Sequence, residues 1–359
     1  MLDTLTSFSN FYGSDESLVL AGGGNTSAKD ENIMYIKGSG TALATITKDG
    51  FVKMDRARLA EIFDKKYPDS DKEREAAFLA DLMAARMPGE ESKRPSVETT
   101  LHSLFEYRYV LHLHPALVNG LSCSLGGEKK ARELFGDDII WIEPCRPGYI
   151  LSVICKKALD DFKTKYGRAG DIILLANHGV FVAADSREEL DGKLAKVMDT
   201  LKKTVSPSVY PLAARPQSTD KIYAELKNIS GGEVCICDDD RALAFAANPT
   251  EEILRFTPDH IVYCKAFPLI AADIAEIKNL YSEYLSKYGY APKVFIIKDE
   301  GIFTCGKDKK DAAIALKLVN DALLISEFSH SFGGERFMTD ELTDFIINWE
   351  AESYRSKKS

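Results

Sequence analysis

No apolar run in this chain approaches the roughly 20 residues that a helix needs to cross a bilayer, so a membrane-spanning helix is not expected. The opening segment, MLDTLTSFSNFYGSDESLVLAGGGN, carries acids early and lacks the basic start and apolar centre of a secretory leader. Positive charge is also short. With 46 Lys and Arg against 55 Asp and Glu, the net charge is −9, which argues against nucleic acid or an anionic membrane as the main partner. The seven cysteines are odd in number and scattered, mostly inside apolar runs. They fit a reducing cytoplasm better than a disulfide framework, and none has zinc-finger spacing. What remains is 359 residues of ordinary globular composition, 45% hydrophobic and 28% charged, enough for one or two cores. In so acidic a chain, an anionic ligand would need a local pocket of backbone N–H groups and cations.

The pattern of apolar residues predicts a helix over 4–20, broken by AGGGNTSAKD. Short strands are expected in MYIKGSG and GFVKMD, and helices over 56–66 and 72–86, the second ended by Pro88-Gly89. Ser96 reads as the N-cap of a helix in VETTLHSLFEY, with Glu98 in its first turn. YVLHLHP and DDIIWIEP read as strands, a helix follows near 151–166, and DIILLANHGVFVAA reads as two strands meeting at Asn177-His178-Gly179. An amphipathic helix at 186–204 closes this part. SPSVYPLAARPQS, with Pro207, Pro211 and Pro216, reads as a linker. The expected organisation is a domain at 1–206, a proline-rich linker at 207–218 and a smaller α/β domain at 219–359.

The second part looks like a weak copy of the first. VFIIKDEGIFTCGKDKKDAAIALKLVNDAL lines up with IILLANHGVFVAADSREELDGKLAKVMDTL, Gly301 matching Gly179, and HIVYCKAFPLI (260–270) lines up with YVLHLHPALV (109–118). In this alignment Tyr263, Lys265 and Glu300 stand where His112, His114 and His178 stood. The copy is therefore expected to keep a scaffold without a metal site, with a structural or regulatory part to play.

Side chains i and i+2 of a strand point the same way, so His112 and His114 fall side by side, and Pro115 stops the strand behind them. Imidazoles suit zinc and similar divalent ions. His178, in a tight turn between apolar strands, adds a third imidazole, and three histidines with an open position make a catalytic rather than a closed metal pattern. Glu98 reads either as a helix-start acid or as an acid/base beside the metal. His102, one turn on, reads as a packing histidine that can face the same way. GGGNTS (22–27) and KGSG (37–40) are glycine-rich turns that read as simple turns or as an anion cradle, with Lys37 and Arg94 as adjacent charges. Neither turn has the P-loop or G-x-G-x-x-G pattern.

GGGNTS, KGSGT, RPSVETTLH, HLHP and NHGVFV occur in the order of the class II aldolase/adducin superfamily. The chain most resembles the aldolase module of bifunctional rhamnulose-1-phosphate aldolase/lactaldehyde dehydrogenase proteins. That resemblance extends through TPDHIVYCKAFPL (257–269), GIFTCGKD (301–308) and WEAESYR (349–355), while the dehydrogenase half has no counterpart before Ser359. It implies a three-layer α/β/α fold around a mainly antiparallel sheet, one Zn2+ or other divalent ion on His112, His114 and His178, and Glu98 as acid/base. It also implies a phosphate site at Gly24, Asn25, Ser39, Gly40 and Ser96. The second of two serines usual before the glutamate is here Val97, and the nearest match to the family's tyrosine proton donor is Cys145, with Tyr149 four residues later. The expected activity is zinc-dependent cleavage of a ketose 1-phosphate, best L-rhamnulose 1-phosphate, to dihydroxyacetone phosphate and L-lactaldehyde. The alternatives are a sugar-phosphate epimerase or dehydratase on the same fold, or a non-catalytic adducin-like binding protein. A cytoplasmic homo-oligomer, tetrameric by resemblance, is expected, with neither nucleic acid nor membrane as partner.

Overall fold

The computed structural model describes residues 1–206, 208, 210 and 218–349. Most of the expected linker at 207–218, and WEAESYR beyond Trp349, lie outside the described residues. The chain divides into two compact units, one built on Met1–Ser122 and Gly126–Thr204, the other on Cys123–Leu125 and Val205–Ile347; Asn348 and Trp349 belong to the first.

The first unit begins with α1 (Leu2–Gly13), β1 (Asn25–Lys29), β2 (Ile33–Lys37), β3 (Phe51–Asp55), α2 (Arg56–Glu61), α3 (Asp71–Ala84) and α4 (Thr99–Leu104). There follow β4 (Tyr109–Leu113), α5 (Ala116–Ser122), α6 (Gly127–Phe135), β5 (Ile140–Ile142), α7 (Tyr149–Tyr166), β6 (Ile172–Leu175), β7 (Gly179–Ala184) and α8 (Arg187–Thr204). The seven strands form one sheet in the order β3-β2-β1-β4-β7-β6-β5. Every neighbouring pair is antiparallel except β5 with β6. Helices α1, α5 and α8 pack on one face and α4 and α7 on the other, giving three layers. Covering both faces explains why β4, β6 and β7 are buried along their whole length and read as near-continuous apolar runs.

Strand β1 escaped the periodicity argument because NTSAK is polar, yet all five residues are buried in the middle of the sheet. Its polar groups are satisfied: Thr26 Oγ1 lies 2.7 Å from Ser9 Oγ, Ser27 Oγ is 2.7 Å from His102 Nδ1, and Lys29 Nζ donates to the His102 carbonyl. Two boundaries also differ from expectation. Helix α1 stops at Gly13 rather than residue 20, where Asp15 Oδ1 accepts from the Ser17 N–H at 2.9 Å and turns the chain. Helix α4 starts at Thr99, so Glu98 occupies the cap position itself, while Ser96 Oγ, two residues earlier, accepts from the Glu98 N–H at 3.3 Å.

In the second unit the elements are α9 (Thr219–Ser230), β8 (Glu233–Cys237), α10 (Asp240–Ala247), α11 (Pro258–Cys264), β9 (Leu269–Ala271), α12 (Ile277–Tyr288), β10 (Val294–Ile297), β11 (Gly301–Gly306), α13 (Lys309–Ser329) and α14 (Asp340–Asn348). Asp239 and Asp308 cap α10 and α13 through side-chain bonds to the N–H groups of Ala242 and Asp311, each at 2.8 Å. Its sheet runs β8-β11-β10-β9, with β9 parallel to β10 and the other pairs antiparallel.

This order corrects one correspondence read from the sequence. Residues 258–264 are helical and not a strand: Pro258 sits at the helix start, where a missing N–H costs nothing, and a short apolar run is ambiguous between helix and strand. From β4 to α8 the first unit runs β-α-α-β-α-β-β-α; from β8 to α13 the second runs the same way, with the same parallel and antiparallel pairings. Strand β8, not 260–270, therefore occupies the place of β4. Leu113 pairs Val180 and His112 pairs Phe181, while Cys237 pairs Ile302 and Ile236 pairs Phe303. The counterparts of His112 and His114 are thus Ile236 and Asp238 rather than Tyr263 and Lys265; Glu300 remains that of His178. The two hairpin turns agree in detail, since Asn177 and Asp299 both take a positive φ, at 54° and 60°.

Candidate metal centre and its family

His112 lies on the face of β4 that carries Val110, toward α4 and α7, with its ring stacked on Phe181 at 4.0 Å. The strand ends at Leu113, and His114 follows with its N–H bonded to the Leu18 carbonyl at 3.1 Å. His178 comes from the β6–β7 turn. That turn requires a left-handed Asn177, which asparagine tolerates, and a residue at 179 without a Cβ. A Cβ there would stand 2.4 Å from the Leu113 carbonyl oxygen and 2.7 Å from His114 Cδ2. The glycine thus lets the hairpin close against the histidine strand.

The ligand atoms of His112, His114 and His178 all lie within 4.8 Å of one another. His112 Nδ1 faces the Val180 carbonyl at 3.0 Å. A carbonyl only accepts, so Nδ1 carries the proton and Nε2 presents its lone pair inward. That lone pair stands 2.8 Å from His114 Nε2. Glu98 Oε1 approaches His112 Nε2 at 3.3 Å and His178 Nε2 at 3.4 Å, is buried, and makes no hydrogen bond. Convergent nitrogen donors and an unpaired carboxylate oxygen, closed off from water, fit a divalent cation. The three histidines are therefore a group that can bind a metal ion.

A second layer holds this arrangement. Asn25 pairs with His112 across β1 and β4. Its Nδ2 donates to Glu98 Oε2 at 2.6 Å and to Ser96 Oγ at 3.2 Å. Its Oδ1, an acceptor only, meets His102 Nε2, which must therefore carry the ring proton, leaving Nδ1 to accept from Ser27. Burial holds His102 well below the usual imidazole range, so it is neutral, as this chain of bonds requires. Burial pushes the Glu98 carboxyl up, but the three histidines outweigh it and hold it well below the ordinary range; burial also lowers His112. His102 thus packs in the helix, as expected, and also orients Asn25 against Glu98. Neither this relay nor the Phe181 stack is visible in spacing alone, because both join segments far apart in the chain.

The other predicted residues are grouped less closely. Gly24 takes a φ of 59° against the His112 carbonyl, which a Cβ would approach to 2.8 Å, and Gly40 takes a φ of 81°. The 37–40 turn lies beside the 94–96 loop through the Gly38–Pro95 bridge. The Gly38, Ser39 and Ser96 N–H groups donate to the carbonyls of Gly50, Arg94 and Lys37 at 2.9, 2.8 and 3.0 Å. An anion there would meet hydroxyls rather than these three amides. Lys37 Nζ, buried, bridges the Gly22 and Gly24 carbonyls at 2.9 Å each. Tyr149 packs with Tyr67 and Phe78 in an aromatic cluster, and burial pushes the Cys145 thiol up to about 11.

The family model described as Class II Aldolase and Adducin N-terminal domain matches residues 8–200, more than half of the chain. The chain belongs to the class II aldolase/adducin family. Its first unit has the class II aldolase fold, which spans all of the residues just described. Among curated relatives, the "uncharacterized oxidoreductase" YuxG of Bacillus subtilis is 22% identical over 97% of this chain, which spans 57% of that protein. Solved structures similar to it include the N-terminal class II aldolase domain of a conserved protein from Thermoplasma acidophilum, 23% identical over 56% of this chain and 92% of that one, TM-score 0.47. The L-fuculose-1-phosphate aldolase of Thermus thermophilus is 19% identical over 56% of this chain and 94% of its own, TM-score 0.36. Among the described residues, no helix is long and apolar enough to cross a membrane.

Proposed function

We propose that the chain is a zinc-dependent aldolase that cleaves a ketose 1-phosphate, with L-rhamnulose 1-phosphate the best match to its motifs. The observation that carries this reading is the convergence of three imidazoles within 4.8 Å beside a buried carboxylate oxygen with no hydrogen bond. In this reading His112, His114 and His178 hold the cation, which supplies Lewis-acid polarisation of the substrate carbonyl. Cleavage breaks the C3–C4 bond. The C4 hydroxyl gives up its proton as L-lactaldehyde forms, and the three-carbon fragment gains a proton at C3 to become dihydroxyacetone phosphate. Glu98 moves the C3 proton, and Asn25 fixes which of its oxygens faces the reaction. The phosphate is placed in the pocket formed by Gly24, Asn25, Ser39, Gly40 and Ser96, with the Ser39 and Ser96 hydroxyls as its donors, and this anchoring sets the ketone against the histidines.

We assign catalysis to 1–206 and read 219–359 as a degenerate repeat that lacks metal ligands, joined through 207–218. A homo-oligomer, tetrameric by family resemblance, completes the proposal. Product analysis with a panel of ketose 1-phosphates tests it. Dihydroxyacetone phosphate released from L-rhamnulose 1-phosphate supports the aldolase. An epimerised or dehydrated product assigns the site to another reaction of this fold, and a metal-free chain without turnover points to a binding protein.

A further inference from the structure

The segments read as a phosphate pocket are tied together by one buried cation. Lys37 ends β2, is 3% exposed, and donates from Nζ to the carbonyls of Gly22 and Gly24 at 2.9 Å each. Its own carbonyl accepts from the Ser96 N–H at 3.0 Å, and its backbone runs directly into Gly38-Ser39-Gly40. Ser96 Oγ in turn accepts from Asn25 Nδ2 at 3.2 Å. The stretches at 22–25, 38–40 and 95–96 therefore meet on this residue.

Such a group answers a need of the pocket. The chain carries a net charge of −9, and the N–H groups of Gly23, Gly38, Ser39 and Ser96 are all bonded to backbone carbonyls. Neutral hydroxyl donors alone make weaker bonds to a dianion than a cation does. Carbonyl oxygens that faced an anion would repel it, and two from the glycine turn are held on Lys37 instead. A carbonyl takes the bond without cancelling the charge. An ammonium is a compact point charge, and salt screens a buried charge far less than an exposed one.

We propose that Lys37 is the positioning residue that makes this pocket selective for a phosphate dianion. It does so in two ways: it holds the Gly22 and Gly24 carbonyls on itself, and it supplies positive charge that the spent amides do not. It acts through the turn rather than by contact, while the Ser39 and Ser96 hydroxyls meet the ligand. The proposal rests on the reading of Gly24, Asn25, Ser39, Gly40 and Ser96 as the phosphate site.

The test titrates inorganic phosphate into the zinc-loaded full chain by calorimetry, for wild type, Lys37→Gln and Lys37→Arg, with bound zinc counted in each. Glutamine keeps a donor for one carbonyl but removes the charge. Lys37→Gln is expected to retain its zinc and to weaken phosphate binding at least about tenfold. That is the order one unit charge contributes across about 10 Å at an effective dielectric constant of about 20. Lys37→Arg keeps the charge and should recover most of the affinity. Equal phosphate affinity in wild type and Lys37→Gln would overturn the proposal and leave the pocket standing. No phosphate binding by wild type would instead overturn the pocket, and the part of Lys37 with it. If Lys37→Gln does not fold, a crystal of the wild-type chain soaked in phosphate decides. The ion is expected within about 8 Å of Lys37 Nζ, the screening length at physiological salt; phosphate seated only farther away would overturn the proposal.

Discussion

At the scale of single residues, the metal centre depends on how few hydrogen-bonding choices its members have. Val180 and Asn25 each offer His112 and His102 only an acceptor, and this sets both ring protons. Asn25→Ala removes the donor at 2.6 Å from Glu98 and the acceptor for His102 together. Activity or metal affinity is expected to fall roughly 10- to 100-fold, the usual cost of an orienting partner, with the protein still folded by circular dichroism. Wild-type turnover in this variant would remove Asn25 from the account. A second residue-scale prediction concerns Glu75, whose carboxyl burial pushes up from 4.5 to about 7 despite a hydrogen bond from the Tyr149 N–H and the nearby charge of Arg74. A raised folded pKa means that the protonated acid favours folding. Its contribution is complete below about 4.5 and is lost as pH rises through 7. Glu75→Gln should therefore be more stable than wild type at pH 8, by on the order of 3 kcal/mol, with the gap closing toward pH 4.5. Urea titrations at the two pH values measure this, and an unchanging gap would contradict it.

At the scale of elements, the β6–β7 hairpin is where sequence and geometry agree most closely. Asn177-His178-Gly179 was legible because a tight turn between apolar strands leaves few conformations. The reason for the glycine was not, since it lies in the Leu113 carbonyl of another strand. Gly179→Ala should cost about 2–4 kcal/mol by forcing the strands apart and should lose bound metal. Gly192→Ala, within α8 where a Cβ meets nothing within 4 Å, should instead stabilise by about 0.5–1 kcal/mol. Thermal unfolding of the pair separates steric closure from a general intolerance of alanine. The same contrast explains what was hidden elsewhere. Strand β1 is stabilised by side-chain bonds rather than by apolar alternation, and α11 and a strand are indistinguishable in an apolar run as short as HIVYC.

At the scale of the whole molecule, two units share one order of elements, yet only the first brings histidines together. The sequence revealed the closing strand–turn–strand–helix of that order but matched its opening strand to the wrong segment, because β8 carries EVCIC where β4 carries YVLHL. Alignment by apolar positions could not span that difference; strand pairing could. With Ile236, Asp238 and Glu300 in place of three imidazoles, the chain should bind one zinc and not two, and His112→Ala should bind none; elemental analysis counts the ions. The most direct test of the central claim is the rate of dihydroxyacetone phosphate release from L-rhamnulose 1-phosphate, measured before EDTA treatment, after it, and after zinc is restored. Cleavage is expected to be lost with the metal and recovered with zinc. Full activity in the metal-free protein would contradict it.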